Sequence, residues 1–597
     1  MDCEIWTGFN HRARVEHGSK LVLKGLLPLT SSGCSTSASV SAGALPSKKP
    51  PEKAKGDSSN SSGPSDLIRV KIKSPVHSSS IFILELISSQ IHPLFLQETP
   101  RRRSMPHSTS SSIRLSRSLN EEDDDRMMRM FIGAQIQLGV IPSPSPIRPD
   151  AVIEEGTLAY ENWVKSSSDF YRQFWLFNVE NPTDVIENSA KPVLTQKGPY
   201  TYRIRDDPKS SITANDNYTI SYMLPNTAVF LRDMSYGSEE EIITSLNLAV
   251  AATQSIVPAV LHKVLNTMIK NSTSSLFQNR TVKEILWGYE DPLLKQLQGI
   301  LPNLDTTTGL FYPYEGTFDG PYTVYTGKDD ISKTANIEKY NGHSKLSYWS
   351  GEFCNMLNGT DGASFPPLRG KEKIYFFSSD ICRSIYAEYE EQNYLKGIPV
   401  YRFVIPPKAF ASPSVNPENI CFCTELVVSK NCTMAGLLSV SSCKEGKPIF
   451  VSLPHFLYGS EELTEDIEGL HPNKEEHQTY LDVESTTGFT LQFAKRIQIN
   501  LMFGPSAVIE VFSKIKKTYI FPVAWLNETA AVNDETAEMF RSSVTLPILI
   551  LKIVELVLIC IGSACFLGCI IELILIKTIK VRTSLTLSSL YGRHYTE

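Results

Sequence analysis

Six cysteines carry the most distinctive chemistry in this sequence. They fall in one region of the chain, at Cys354, Cys382, Cys421, Cys423, Cys432 and Cys443. An even set of thiols in an exported chain predicts three disulfide bonds, for which 15 pairings are possible. Their short spacing argues against a bond between Cys421 and Cys423. A zinc site is the alternative, because Cys421-Phe-Cys423 with Cys432 and Cys443 loosely resembles the spacing of metal ligands.

Potential glycosylation sites lie among and around these cysteines. The pattern Asn-x-Ser/Thr marks an acceptor for N-linked glycans in the secretory pathway. It occurs past residue 150 at Asn217, Asn271, Asn279, Asn358, Asn431 and Asn527. Two of these sequons, at Asn358 and Asn431, fall within the cysteine region, and disulfides prevail in oxidising compartments. The two features together favour a disulfide-bonded external domain over a zinc site, so we expect no metal.

The sequence offers little support for catalysis. Ser379, Asp380 and His455 are the residue types of a hydrolase triad, but no nucleophile elbow or oxyanion loop accompanies them. His455, in a Pro-His-Phe run, is predicted to be a packed core residue. The sequence contains no Gly-rich phosphate loop and no HExxH motif, and its net charge of −6 does not suggest nucleic-acid binding. We therefore predict a protein that is not an enzyme and has no cofactor.

A membrane anchor is predicted near the C-terminus. Leu556–Ile571 contains no charged residue, and apolar runs on either side extend the anchor region to residues 546–576. This length approaches the ~20 apolar residues that cross ~30 Å of hydrocarbon. Lys577 and two further basic residues follow, so residues 577–597 are predicted to form a cytosolic tail, with the upstream domain outside. A buried core helix is the alternative for this segment.

Residues 1–150 differ in composition from the rest of the chain. Ser, Pro, Lys and Arg dominate Ser31–Pro51 and Pro100–Ser118, and such segments bury too little apolar surface to fold. A lysine interrupts Leu21–Leu29, which makes it a poor signal peptide, and Phe131–Ile141 is too short and too polar to span a bilayer. We expect a disordered, divergent segment without a clear transmembrane helix.

Residues 151–545 are predicted to form the ectodomain. Short β-rich runs bounded by Pro, Gly, Asn or Asp predict strands, at Val193–Leu194, Tyr200–Ile204, Tyr218–Met223, Tyr322–Tyr325, Val400–Ile405, Ile449–Leu453 and Phe489–Phe493. Apolar residues at helical spacing predict a long helix over Glu239–Asn271, kinked at Pro258, and a second helix over Thr281–Tyr289. Helices that pack against a sheet would account for this periodicity completely. A more specific hypothesis is that these helices form an apex of the domain that faces a membrane or a partner.

Motifs along this domain resemble those of class B scavenger receptors, and within that family those of the fatty acid translocase. The resemblance runs from about Ile153 to the anchor and begins abruptly just before Glu154. The motifs follow the family's order and include Asn162-Trp-Val, Tyr171-Arg-Gln-Phe-Trp, Gly198-Pro-Tyr-Thr-Tyr-Arg203, Gly309-Leu-Phe-Tyr-Pro-Tyr, Phe377-Ser-Ser-Asp-Ile-Cys-Arg383, Gly397-Ile-Pro-Val-Tyr-Arg-Phe403 and Thr487-Gly-Phe-Thr-Leu-Gln-Phe493.

The resemblance implies a fold of the α+β class. Its expected parts are an antiparallel β-barrel core, a helical apex bundle, an internal apolar tunnel and a C-terminal transmembrane helix. It also implies three disulfide pairs, which are Cys354–Cys421, Cys382–Cys443 and Cys423–Cys432. The family normally has two membrane anchors. The first of these is not matched in this chain, and Leu573-Ile-Leu stands where the family has juxtamembrane cysteines.

The resemblance also implies a function. Such a chain would be a plasma-membrane receptor and lipid conduit that binds long-chain fatty acids, phospholipids and other membrane lipid, oxidised lipoproteins and thrombospondin-type matrix glycoproteins. The alternative is an intracellular lysosomal trafficking receptor of the same family, although the acidic dileucine signal of that relative is absent after Lys577.

Two sets of site residues follow from the resemblance. A lysine pair on the family's apex helix meets the lipid head group, and the matching positions here are Asn271 and Thr273, with Lys270 and Lys263 nearby on the same predicted helix. An acidic patch that meets thrombospondin-type repeats is matched by four residues, Asp233, Glu239, Glu240 and Glu241. Acids at a helix N-terminus are the alternative interpretation of that stretch.

Overall fold

The structure is a computed structural model that describes residues 151–165, 168–205, 207–368, 370–430 and 432–593. All of these residues belong to one compact unit of the chain. The predictions for residues 1–150 and for the sequon at Asn431 lie outside the described residues.

Strands dominate the described part of the chain, and many are short. Their bounds are β1 Phe170–Val179, β2 Leu194–Ile204, β3 Ser210–Ala214, β4 Thr219–Pro225, β5 Ala228–Phe230, β6 Ile242–Leu246, β7 Phe277–Thr281, β8 Tyr289–Glu290, β9 Thr307–Thr308, β10 Phe318–Tyr325, β11 Ile337–Tyr340, β12 Ile374–Ser378, β13 Arg383–Leu395, β14 Ile398–Val404, β15 Leu438–Ser439, β16 Ile449–Ser452, β17 Tyr480–Val483, β18 Thr490–Phe503 and β19 Tyr519–Ala531. Each strand predicted from the sequence overlaps one of these.

The α-helices lie between the strands and at the C-terminus. Their bounds are α1 Leu158–Val164, α2 Pro182–Asn188, α3 Leu248–Ile256, α4 His262–Asn271, α5 Val282–Trp287, α6 Pro292–Gln298, α7 Glu461–Glu465, α8 Lys474–His477, α9 Asp534–Phe540 and α10 Leu546–Arg593. Helix α6 packs against both α3 and α4.

An eleven-stranded antiparallel sheet forms the centre of the domain. Nine strands follow the order β12-β13-β14-β17-β18-β19-β1-β2-β5, and β16, which carries β15, pairs with β18. Barrel closure requires the first and last strands of a sheet to pair. Within the described residues no ladder joins β12 to β5. The structure therefore has a large antiparallel sheet, and the closed barrel implied by the resemblance is not found in it.

The middle of this sheet is buried because its strands are apolar on both faces. Strand β19 lies between β18 and β1, and eight consecutive residues from Tyr519 to Leu526 are buried. Trp175 of β1 is the cross-strand partner of Trp525, and their rings stack with centroids 3.9 Å apart. Such pairs hold the register of neighbouring strands. A smaller sheet of order β11-β10-β4-β3 stands beside the large one.

The long helix predicted over Glu239–Asn271 is shorter than expected. Its first part is strand β6, which pairs with β7 over Ile242–Leu246, so the helical prediction was wrong there. Helix α3 starts only after Asn247, whose side chain accepts a hydrogen bond from Val250 N. Pro258 separates α3 from α4, as the sequence predicts.

The second predicted helix is confirmed as α5. Thr281 accepts a hydrogen bond from Glu284 N, while the Glu284 carboxylate accepts one from Thr281 N. This reciprocal arrangement is a capping box, which satisfies two backbone donors at the helix start.

The cysteine region forms three disulfide bonds. They join Cys354 to Cys421, Cys382 to Cys443, and Cys423 to Cys432, which are the pairs that the resemblance implies. Every cysteine of the zinc alternative is thereby oxidised, so the zinc interpretation is wrong for this structure.

One helix among the described residues is long and apolar enough to cross a membrane. The candidate span, Asp534–Thr586, contains the whole predicted anchor region, 546–576, and little of it is buried by the rest of the chain. Helix α10 continues past that region to Arg593 without a break. Exposing this apolar surface to water would be unfavourable, and the helix that carries it is long enough to cross a membrane.

Candidate functional site

An internal cavity of about 260 Å³ lies against one face of the large sheet. Strand β18 contributes alternate residues to its wall, Leu491, Phe493, Lys495 and Ile497, because every second side chain of a strand points to the same face. Residues of α1, of β12 at the edge of the large sheet and of the smaller sheet also line the cavity. Aromatic and aliphatic side chains predominate, among them Trp163, Phe170, Phe377, Phe410 and Leu453. A largely apolar wall of this kind is typical of sites for small apolar ligands.

Five charged residues on the sheet side of this cavity form one cluster, which we call the charge cluster. Its members are Arg172, Arg205, Asp380, Lys495 and Glu528. Glu528 on β19 is the register partner of Arg172 on β1 and of Lys495 on β18. Strand pairing therefore brings together three ionic groups that are far apart in sequence.

Glu528 is the centre of the cluster. Its side chain is almost completely buried, and its Oε2 atom accepts hydrogen bonds from Arg172 Nη2 at 2.6 Å and Arg172 Nε at 3.2 Å. Arg205 Nη2 lies 3.4 Å from Oε1, and Lys495 Nζ lies 3.4 Å from Oε2. Lys495 also forms an ion pair with Asp380. The cluster thus holds three cations and two carboxylates.

The cations keep both carboxylates ionised. Burial alone would raise the pKa of Glu528, but Lys495, Arg172 and Arg205 hold that pKa well below its usual range. Burial also opposes the charge on Asp380, yet Lys495 and Arg172 lower its pKa to about 2. An opposite charge at close range outweighs desolvation in both groups. At neutral pH the cluster therefore carries one excess positive charge inside the domain.

Two stacked histidines, which do not belong to the charge cluster, are buried next to strand β19. The rings of His455 and His477 lie 4.6 Å apart at an interplanar angle of 11°, next to Trp525. His455 Nδ1 accepts a hydrogen bond from His471 N, and His477 Nδ1 accepts one from Asn473 N. Both rings are therefore neutral. Burial and the neighbouring histidines lower the pKa of His455 to about 3, and burial and Arg496 lower that of His477 to about 4.

This histidine pair predicts a loss of stability between pH 7 and pH 5. In that window the unfolded chain takes up protons on both histidines, near their ordinary pKa of 6.5, whereas the folded chain does not. Each histidine should therefore remove ~2 kcal/mol from the free energy of unfolding by pH 5. The carboxylates of the charge cluster should not contribute to this loss of stability. Their pKa values are depressed in the folded chain, so the stability that they provide is lost only when the pH falls below 5 and through those values.

Thermal unfolding of the full chain at the two pH values measures this effect. The variant His477→Gln should lose less stability on acidification than the unsubstituted chain. His343→Gln, at an exposed histidine, is the matched control and should keep the full pH dependence. Equal pH dependence in all three proteins would contradict the assignment.

The predicted lipid-entrance residues do not line this cavity. Lys263, Lys270 and Asn271 are exposed on α4, and Thr273 is exposed just after it. Lys270 forms an ion pair with Glu510, so its charge is already matched. All four residues are thus exposed on or just after α4, and none is part of the cavity wall.

The predicted acidic patch is only partly exposed. Glu239 accepts a hydrogen bond from Tyr202 OH and pairs with Lys283 at 3.3 Å. Glu241 accepts hydrogen bonds from Tyr200 OH and Lys197 Nζ. Asp233 and Glu240 are exposed. Since the three glutamates precede strand β6, the alternative of acids at a helix N-terminus was wrong.

The sequon asparagines differ in accessibility. Asn217, Asn271 and Asn279 are exposed, and Asn358 is half-buried. Asn527 lies within β19, half-buried, and its Nδ2 atom donates a hydrogen bond to Gln173 Oε1. A glycan attaches to that nitrogen, so Asn527 is the least suited of the five described acceptors.

The residues of the hypothetical triad have separate partners. Ser379 Oγ donates to Asp319 Oδ2 at 2.7 Å, Asp380 pairs with Lys495, and His455 Nε2 contacts Gln196 Oε1 at 2.6 Å. No relay connects a serine hydroxyl to a histidine here, which is the geometry that triad chemistry requires.

A disulfide-bonded, β-rich domain joined to a long apolar helix defines a class of membrane proteins with a folded domain beside the bilayer. Comparison with known proteins assigns the family. The family model described as CD36 family matches residues 130–573, so the chain belongs to the CD36 family. The match begins 24 residues before Glu154 (154 − 130), earlier than the motifs suggested.

Individual relatives support the assignment. The chain is 37% identical over 412 residues to human (Homo sapiens) lysosome membrane protein 2, covering 68% of this chain and 84% of that protein. It is 33% identical over 439 residues to bovine (Bos taurus) scavenger receptor class B member 1, covering 72% of this chain and 84% of that protein. Lysosomal and scavenger-receptor relatives thus match over nearly the same length.

Proposed function

We propose that this protein is a lipid receptor of its family that holds an acyl chain in the internal cavity and delivers lipid to the membrane. The observation that carries the proposal is the cavity itself, because its predominantly apolar wall lies between two sheets next to the candidate membrane helix. About 15 methylenes of a long-chain fatty acid contribute ~12 kcal/mol of gross burial energy, before binding costs are subtracted. Long-chain fatty acids and the lipids of lipoproteins are the proposed ligands.

A cavity-filling variant tests this function. Ile497→Trp would add an indole to a residue of the cavity wall, and we expect it to reduce binding of a radiolabelled long-chain fatty acid by the full chain at least tenfold. Ile300→Trp makes the same change at an exposed residue and should bind as the unsubstituted chain does. Unchanged binding in a normally folded Ile497→Trp protein would place the lipid elsewhere.

The protein is proposed to act at the plasma membrane, with its β-rich domain outside and its C-terminus in the cytosol. The identity to lysosome membrane protein 2 favours a second candidate, a lysosomal trafficking receptor. Surface biotinylation of cells that express the full chain separates the two, and N-glycosidase treatment tests whether the domain reaches the lumen. A glycosylated chain that is absent from the surface would support the lysosomal candidate.

Binding of thrombospondin-type repeats is a further part of the proposal, and it now depends on Asp233 and Glu240. Those two acids are exposed, whereas Glu239 and Glu241 are half-buried and accept hydrogen bonds from Tyr202 and Tyr200. We propose no catalytic step for this protein, because Ser379, Asp380 and His455 serve other partners.

A further inference from the structure

The charge cluster leaves one cation without a carboxylate of its own. Arg172 is buried and makes two hydrogen bonds to Glu528, and Lys495 is shared between Asp380 and Glu528. Within the part of the chain that the structure describes, Arg205 has one ion-pair contact, at 3.4 Å, to the carboxylate that the other two already use. The excess positive charge of the cluster therefore resides chiefly on Arg205.

Arg205 is also the most accessible cation of the cluster. Its side chain is 36% exposed, against 5% for Arg172 and 21% for Lys495. It lines the cavity. The guanidinium carbon stands 5.6 Å from the centre of the Phe170 ring, which itself lies 5.8 Å from Phe493. The partly exposed guanidinium of Arg205 thus lies beside the apolar side chains of Phe170 and Phe493.

Two other half-buried cations of the cavity wall, Lys209 and Arg496, are matched by nearby acceptors. Lys209 donates to the Trp163 carbonyl oxygen at 2.6 Å and lies 4.0 Å from Asp361. Arg496 donates to the backbone carbonyl oxygens of Glu475 and Gln478. Lys165 also lines the cavity but is exposed to solvent. Among the cations of the cavity wall that the structure describes as buried or half-buried, Arg205 is the one whose charge is least compensated.

We infer that Arg205 binds the carboxylate of a long-chain fatty acid whose hydrocarbon tail lies along Phe170 and Phe493. The inference rests on the proposed function, since it presumes that the cavity holds a lipid. A planar guanidinium offers two parallel N–H donors to a carboxylate, and such charge-assisted bonds are short and strong. The bound carboxylate would give the cluster three cations and three anions. The head group is then recognised inside the domain, and the exposed lysines of α4 are not needed for it.

A matched pair of ligands tests this site. The full chain in nanodiscs is titrated with palmitic acid and with hexadecanol, which share a tail length and differ in the charged head group. We expect the acid to bind at least tenfold more tightly than the alcohol. Arg205→Gln should abolish that preference while changing the affinity for the alcohol less than twofold. It leaves two cations and two carboxylates in the cluster, so the fold should persist.

Two further variants sharpen the result. Asp380→Asn removes a competing carboxylate and should increase the preference for the acid several-fold. Lys270→Gln, at an exposed ion pair on α4, should leave the preference unchanged. A preference retained in Arg205→Gln, or lost in Lys270→Gln, would overturn the assignment.

The design separates this inference from the proposed function. If neither ligand binds the unsubstituted chain, the proposed function fails. If both bind equally well, the cavity holds lipid but Arg205 does not recognise the head group. Should Arg205→Gln fail to fold, the opposite change expected for Asp380→Asn still decides the question, because an unaltered preference in that variant contradicts the site.

Discussion

Replacing Glu528 with glutamine should destabilise the folded domain by ~3–5 kcal/mol, because it leaves buried cations without their shared anion. Arg172 is the most affected, since its side chain is 5% exposed and bonds only to Glu528 among the carboxylates. Lys495 would retain Asp380. The loss is a large part of the stability of an ordinary domain, so we expect most of the variant to be retained and degraded before it matures.

The measurement is the thermal unfolding of the purified full chain, together with the fraction that acquires mature glycans in cells. Glu510→Gln is the matched control, because Glu510 pairs with Lys270 on the surface, where the two side chains are 64% and 55% exposed. Exposed pairs contribute little, typically ~0–1 kcal/mol. If the two variants proved equally stable, the charge cluster would not stabilise the fold.

Serine at Cys382 or Cys443 should block delivery of the protein to its membrane. The bond between them closes a loop with a sequence separation of 61, and chain-entropy arguments assign ~4 kcal/mol to a loop of that length. Cys382 also sits inside the core, where its carbonyl oxygen accepts a hydrogen bond from Trp349 Nε1. Each single variant leaves one unpaired thiol in addition.

Mature glycosylation and non-reducing gel mobility measure this prediction. Cys560→Ser changes a cysteine that has no disulfide partner and should mature normally. The Cys423–Cys432 bond closes a separation of 9, for which the same argument assigns ~3 kcal/mol, so Cys423→Ser should have the milder effect. Normal maturation of both Cys382→Ser and Cys443→Ser would show that their bond is dispensable.

Local pattern predicted much of the fold because the information for it is local. Short β-rich runs between turn residues became strands, and Pro258 separated two helices as expected. Within the predicted long helix, Ile242–Leu246 is strand β6 because it pairs with β7, about 35 residues further on. A strand pairing between residues that far apart can override helical periodicity, and it cannot be detected within a short stretch of sequence.

The candidate site was harder to predict than the fold. The charge cluster depends on a bond between residues 356 positions apart, Arg172 and Glu528, and no spacing rule relates them. A signal existed, since Arg172, Lys495 and Glu528 each interrupt an apolar strand. The proposed entrance on α4 came from the family resemblance alone, and the cavity wall is formed by other residues.

The last helices of the domain have a mechanical consequence. Thr536 and Phe540 of α9 line the cavity, and a single π-helical turn, Arg541–Thr545, joins α9 directly to α10. Five residues lie between Phe540 and the first residue of α10, and the six steps of helix give a rise of about 9 Å. Continuous helix therefore joins the cavity wall at Phe540 to the candidate membrane segment. If α10 spans a bilayer, a tilt that suits a thinner or thicker membrane would carry Phe540 with it, so the thickness of the surrounding membrane would affect the shape of the cavity.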